Sequence, residues 1–162
     1  MTLAVEMMGG GRHSRRGVFL RYLLIFTAIS MAWEFAQMPL YTLAATGTPR
    51  EIIFSALHCT MGDALIGGLA LAAALIIFGS GQWPGEGRFR VLVAALVFGL
   101  GYTIFSEWLN VEVRGAWAYS DLMPVVPVIG TGLSPLLQWL ILPVVAHHFA
   151  TREHSGFRRR FA

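Results

Sequence analysis

Apolar residues in this chain gather into four long runs, each separated from the next by a polar or Gly/Pro-punctuated stretch. The runs cover roughly 18–41, 52–78, 89–109 and 133–150. Each has about the length of the ~20 residues a helix needs to cross a bilayer's hydrocarbon. The pattern predicts an all-α fold: a polytopic transmembrane four-helix bundle. Residues 1–17 read as a cytoplasmic tail, 18–150 as the transmembrane domain and 151–162 as a second, basic cytoplasmic tail. The second run carries small residues (Gly62, Gly67, Gly68, Ala70, Ala72, Ala73 and Ala74) that let helix backbones approach closely in lipid.

The linkers differ in character. Residues 42–51 read as a short turn with Gly47 and Pro49, and 79–90 as a Gly/Pro loop with Arg88 and Arg90. Residues 110–132 are too short and too broken by Gly115, Pro124, Pro127, Gly130 and Gly132 to span. With Trp117, Tyr119, Leu122 and Met123, this segment suits an interfacial or re-entrant position between helices 3 and 4, as a lid, a re-entrant loop or a surface-lying segment.

Composition supports the membrane assignment. Hydrophobic residues make up 56% and charged residues 13% of the chain, against roughly 25% charged in a soluble domain. All basic residues are Arg, a bias we attribute to genome composition. The net charge of +3 is no nucleic-acid signal, because the Arg residues cluster at span ends. Their distribution instead sets an orientation. Four spans put Arg12, Arg15, Arg16, Arg21, Arg88, Arg90, Arg152, Arg158, Arg159 and Arg160 on one side, and only Arg50 and Arg114 on the other. The expectation is a bacterial cytoplasmic (inner) membrane protein with both termini in the cytoplasm. Arg15-Arg16 resembles a twin-arginine export signal, but no good cleavage site follows the first run and cleavage would discard Glu34. The single cysteine, Cys59, excludes an internal disulfide and reads as a buried, inert thiol.

The candidate chemistry lies inside the runs. At about 1.5 Å rise per residue, Glu34, Gln37, His58, Asp63, Glu107, Asn110 and Gln138 all fall in the outward half. Glu34, Gln37 and Tyr41 share a helix face, as do Thr103, Glu107 and Asn110, and Ser134 and Gln138. His58 and Asp63 are five apart and share only a broad face. An Asp at a span centre costs about 2.5–3.5 kcal/mol even on lenient scales, so these acids must face each other, water or a cation. Glu107, Asp63, Glu34 and His58 are therefore the candidate catalytic acid/base groups. Gln37, Asn110, Trp117, Tyr119 and Gln138 are the candidate substrate-binding residues. The competing reading is that the amides are interhelical hydrogen-bonding contacts and the aromatics a membrane-interface belt. If a divalent metal is bound, His58, Glu34, Asp63 and Glu107 are its ligand set, although no short metal-binding spacing marks them. His147 and His148 read as interfacial tails.

One stretch carries a resemblance. Glu107, Gly115-Ala116-Trp117-Ala118-Tyr119, Met123-Pro124, Pro127 and Trp139 resemble a run in the membrane carotenoid hydratases, where a span-end glutamate precedes a Gly/aromatic–Tyr loop, a Pro-containing stretch and a Trp. Members of that family are longer and have more spans, and the resemblance stops at this run. It implies acid-catalysed water addition to an isoprenoid. As a whole the chain resembles small four-span bacterial integral membrane proteins of unassigned function. Two functions follow as expectations. One is an intramembrane enzyme acting on a lipid or isoprenoid by acid/base or metal-assisted chemistry. The other is a non-catalytic accessory subunit or lipid-binding scaffold, in a homo-oligomer or larger membrane complex.

Overall fold

A computed structural model describes residues 15–152, and both predicted tails lie largely outside them. Helix α1 (Arg15–Gln37) ends in a 3-10 turn (Met38–Leu40), and a one-turn helix α2 (Leu43–Thr46) precedes α3 (Pro49–Phe78). Helix α4 (Arg88–Glu107) continues into a π-helical turn (Trp108–Val113), and α5 (Leu133–Thr151) closes the bundle. Among the described residues, four helices are long and apolar enough to cross a membrane: Arg15–Leu40, Pro49–Phe78, Arg88–Val113 and Leu133–Thr151. The fold is an all-α bundle of four candidate spans.

Each span buries a narrow stripe and leaves the rest of its circumference apolar and exposed, as a helix in lipid should. On α1 the stripe is Val18, Tyr22, Phe26, Ser30, Glu34 and Gln37; on α4 it is Val91, Ala95, Gly99, Thr103 and Glu107. Both advance almost entirely in steps of four, one turn at a time. Helix α5 is the most enclosed, with buried residues on two adjoining faces. Helix α1 packs on α3 and α5, and α4 packs on the same two. Each span packs on the next in chain order, which makes this an up-down-up-down bundle.

Close packing depends on glycine at two places. The Phe26 ring lies where a side chain on Gly67 would have to go, and the Trp139 indole does the same over Gly99. Phe26 and Trp139 meet with centroids 5.5 Å apart, at the hub of a buried cluster that includes Tyr22, Leu71, Val91 and Leu142.

The start of α3 is chemically marked. Thr48 and Glu51 form a capping box on α3, with the Thr48 N–H donating to Glu51 Oε2 (2.8 Å) and the Glu51 N–H to Thr48 Oγ1 (3.3 Å). Pro49 occupies the first turn, where its missing N–H costs nothing. The turn expected at 42–51 is thus mostly helical. The third span also outruns its expected end at 109. The Arg114 N–H bonds the Leu109 carbonyl (2.8 Å), and the Asn110 side chain takes the Ser106 carbonyl (2.8 Å). That side-chain competition accompanies a widened turn, which lets the helix continue through 110–113 despite the polar residues.

From Arg114 to Gly132 the chain crosses the bundle end without forming a span. It is strapped to the end of α1: Thr42 N–H donates to the Ala118 carbonyl (3.0 Å), Ser120 N–H to the Leu40 carbonyl (2.9 Å) and Ser120 Oγ to the Pro39 carbonyl (3.0 Å). A tight turn follows, closed by Val126 N–H on the Thr131 carbonyl (2.9 Å) and Leu133 N–H on the Pro124 carbonyl (2.7 Å). Gly130 takes a positive φ of 67° there. We call this end of the bundle the cap end.

Candidate functional site

Beneath the cap lies a cavity of about 310 Å³. Glu34, Gln37, His58, Asp63, Glu107, Asn110, Trp117 and Gln138 all line it, so residues from all four spans and the cap share one space. Four of the residues predicted from depth (Glu34, Gln37, Glu107 and Gln138) are also almost fully buried.

The floor is a hydrogen-bonded knot of acids and amides. Gln138, on the second turn of α5, donates through Nε2 to Glu34 Oε1 (3.1 Å) and to Asp63 Oδ2 (2.6 Å). One amide nitrogen therefore holds carboxyls from α1 and α3 side by side. Gln37 Nε2 donates to Glu34 Oε1 (2.9 Å) and, more weakly, to Gln138 Oε1 (3.4 Å). The Gln37 carbonyl oxygen accepts from Ser134 Oγ (2.7 Å) and from Trp33 Nε1 (3.2 Å). Helical spacing explains the reach. Trp33, Glu34 and Gln37 share an edge of α1, and Ser134 and Gln138 lie one turn apart on α5.

The second acid site is on the opposite wall. Glu107, at the end of α4, accepts a short hydrogen bond from the Tyr119 hydroxyl, which in turn accepts from the Gly132 N–H (2.9 Å). The Trp117 indole nitrogen is buried beside this carboxylate without a well-formed acceptor. Burial, and then the carboxylate it donates to, push the Tyr119 phenol above its usual range, so it remains an O–H donor. Tyr119 itself does not line the cavity; it stands behind Glu107 and fixes it, rather than contacting a ligand as expected.

No basic residue compensates these acids. Among the described residues, Glu34, Asp63 and Glu107 form no ion pair, and their named partners are amides, a phenol and an indole. Arg114 is the one arginine on the cavity, exposed at its rim.

Comparison of the chain with protein-family models, curated proteins and solved structures gives no match. The site therefore has to be read from its own chemistry.

His58 keeps a place on the cavity but stands apart from the acids, as its spacing from Asp63 implies. His58 is exposed at the rim and stacks on Phe54 at 5.8 Å, and it makes no hydrogen bond to Asp63. The five-residue spacing turned the two side chains apart. The metal set also does not assemble: among the described residues, no three His, Cys, Asp or Glu side chains stand close enough to hold one ion. Glu107 is turned to Tyr119 and His58 to Phe54, leaving only the Glu34–Asp63 pair. Asn110 lines the cavity, but its amide is taken up by Ser106.

Sequence reasoning missed Ser106, Ser55 and Met38 as cavity residues. Ser106 sits one turn before Asn110 and could have been found by that spacing. Met38, four residues after Glu34, and Ser55, three before His58, carry the same one-turn spacing. Trp33 joins the floor, its indole N–H shared between Gln37 and Ser134 at 3.2 Å each. His147, expected to be an interfacial tail, is buried at the other end of the bundle against Trp83.

Proposed function

We propose that the protein is an intramembrane enzyme that acts on a lipid or isoprenoid by acid/base chemistry. The observation that carries this reading is one cavity lined by three carboxyls from three spans, Glu34 and Asp63 paired and Glu107 apart, none of which forms an ion pair among the described residues. A purely structural contact is made more cheaply by Gln or Ser, since a carboxyl in lipid carries a desolvation cost that an amide avoids.

In this reading Glu34 and Asp63 act as one unit that shares a proton. Gln138 holds one oxygen of each. For an isoprenoid double bond, the unit donates its proton to one alkene carbon. Water bonds to the other carbon, and its surplus proton returns to the carboxylate, so the net change is addition of one water. Glu107, held by Tyr119, opposes the positive charge that develops between these steps. The Gly-aromatic-Tyr and Pro-containing run resembling carotenoid hydratases is consistent with this class of chemistry. The protein would sit in a bacterial cytoplasmic membrane with the cap outward, because the described cap-end cations are only Arg50 and Arg114.

A second reading is a non-catalytic accessory subunit or lipid-binding scaffold. It is favoured by the hydrogen bonding of Gln37, Ser134 and Gln138, which tie α1 to α5 without needing a ligand. One experiment separates the two. Membranes containing the protein are incubated in D2O and the lipid-soluble fraction is analysed by mass spectrometry. The enzyme reading expects one species to gain carbon-bound deuterium, and Asp63→Asn and Glu34→Gln to abolish the gain. If no species gains deuterium, or if both variants retain the gain, the catalytic reading fails.

A further inference from the structure

The cavity walls are unequal. On α1 and α5 the lining is closed: Glu34 and Gln37 are each 6% exposed, Gln138 2% and Trp139 3%. On the facing side Thr103 and Glu107 are also buried, but Tyr102 is 47% exposed, His58 is exposed, and Gly62 and Asp63 are half-buried. A Cβ added to Gly62 would meet no heavy atom within 4 Å. The thin wall is therefore the seam between the cap-end halves of α3 and α4.

Depth decides what this seam faces. Gly62 lies 13 residues below Pro49 and Tyr102 lies 11 below Val113, which is about 20 Å and 16 Å along their helices. Both positions are well inside their candidate spans. The residues that frame the seam outside are apolar and exposed: Met61 68%, Leu65 65% and Phe105 51%. A gap at that depth with that frame looks onto acyl chains rather than water. Size points the same way. At about 310 Å³ the cavity stands at the small end of ligand sites, roughly 300–1,000 Å³. It has room for one end of an amphiphile, and the remainder has to lie outside.

We propose that the α3–α4 seam is a lateral portal, edged by His58, Gly62 and Tyr102, through which a bilayer-dissolved amphiphile presents its polar or reactive end to the acids while its apolar chain stays in the membrane. This rests on the enzyme reading and adds the route and the ligand class: a molecule drawn from the acyl-chain phase, not from water.

The test uses the full-length protein in lipid nanodiscs and two photoreactive probes. One is geranylgeraniol carrying a diazirine beside its hydroxyl group; the other is a short water-soluble alcohol carrying the same diazirine. Adducts are mapped by peptide mass spectrometry. The isoprenoid probe is expected to label Asp63, Glu34 or Glu107, and the water-soluble probe to label the cap but not these acids. Gly62→Trp, which fills the seam, is expected to cut the isoprenoid adduct several-fold, and Tyr102→Ala, which widens it, to raise the adduct. The Tyr102→Ala arm stands even if Gly62→Trp does not fold. The portal is overturned by three results: no isoprenoid adduct on the acids, equal labelling by the water-soluble probe, or adducts that ignore the seam substitutions made. Loss of the deuterium signal with labelling intact would instead sink the catalytic reading and leave the portal standing.

Discussion

Gln138 is the residue on which the floor of the cavity turns, and Gln138→Met tests it. Methionine keeps nearly the same length and volume, so the change removes hydrogen bonds with little cavity creation. Three bonds are lost: to Glu34 at 3.1 Å, to Asp63 at 2.6 Å and from Gln37 at 3.4 Å. Side-chain hydrogen bonds between membrane helices average about 0.6 kcal/mol and reach about 1.7. The 2.6 Å bond to a carboxyl belongs near the top of that range and the 3.4 Å bond near the bottom. The expected destabilisation is thus about 2–3 kcal/mol. The assay is reversible unfolding in mixed micelles titrated with SDS, on the wild type, Q138M, D63A and the double variant. The cycle should return about 1–1.5 kcal/mol of coupling between Gln138 and Asp63. A coupling near zero, with Q138M as stable as wild type, would refute the floor as described here.

Two further outcomes follow from the cap and the core. Tyr119→Phe removes the donor to Glu107 and the acceptor for the Gly132 N–H. It should cost about 1–2 kcal/mol and speed amide hydrogen exchange at Gly132, while leaving exchange at the Thr48–Glu51 start of α3 unchanged. Gly99→Leu forces a side chain into the Trp139 indole, an overpacking expected to cost about 1–3 kcal/mol in the same SDS titration. Gly101→Leu, which meets open space, should leave stability close to that of wild type.

The spans were legible because lipid solvation demands long, nearly uncharged runs, and no competing fold uses them. Their ends were less so. The π turn after Glu107 is accompanied by Asn110 bonding its own helix's carbonyl, a side-chain choice that periodicity does not encode. The common depth of Glu34, Asp63, Glu107 and Gln138 could be read from rise per residue, because straight helices convert sequence distance into height. Rotation about each axis was harder. Asp63 reaches Gln138 while His58, five residues away, turns to the rim and Phe54. Tyr119 was out of reach for another reason. Its place behind Glu107 is set by the strap to Leu40 and Thr42, and backbone pairing between distant segments leaves no periodic trace.

The order in which the chain is made gives the acid floor one more consequence. Glu34 and Asp63 leave the ribosome before the amide that serves both, which belongs to α5. Until α5 arrives, an Asp at mid-span faces a cost of about 2.5–3.5 kcal/mol without its 2.6 Å donor. A nascent chain therefore holds α1 and α3 in an unfinished state that α5 relieves. Chains truncated before Leu133 should be recognised and degraded by the cell's membrane quality control, however apolar their remaining spans.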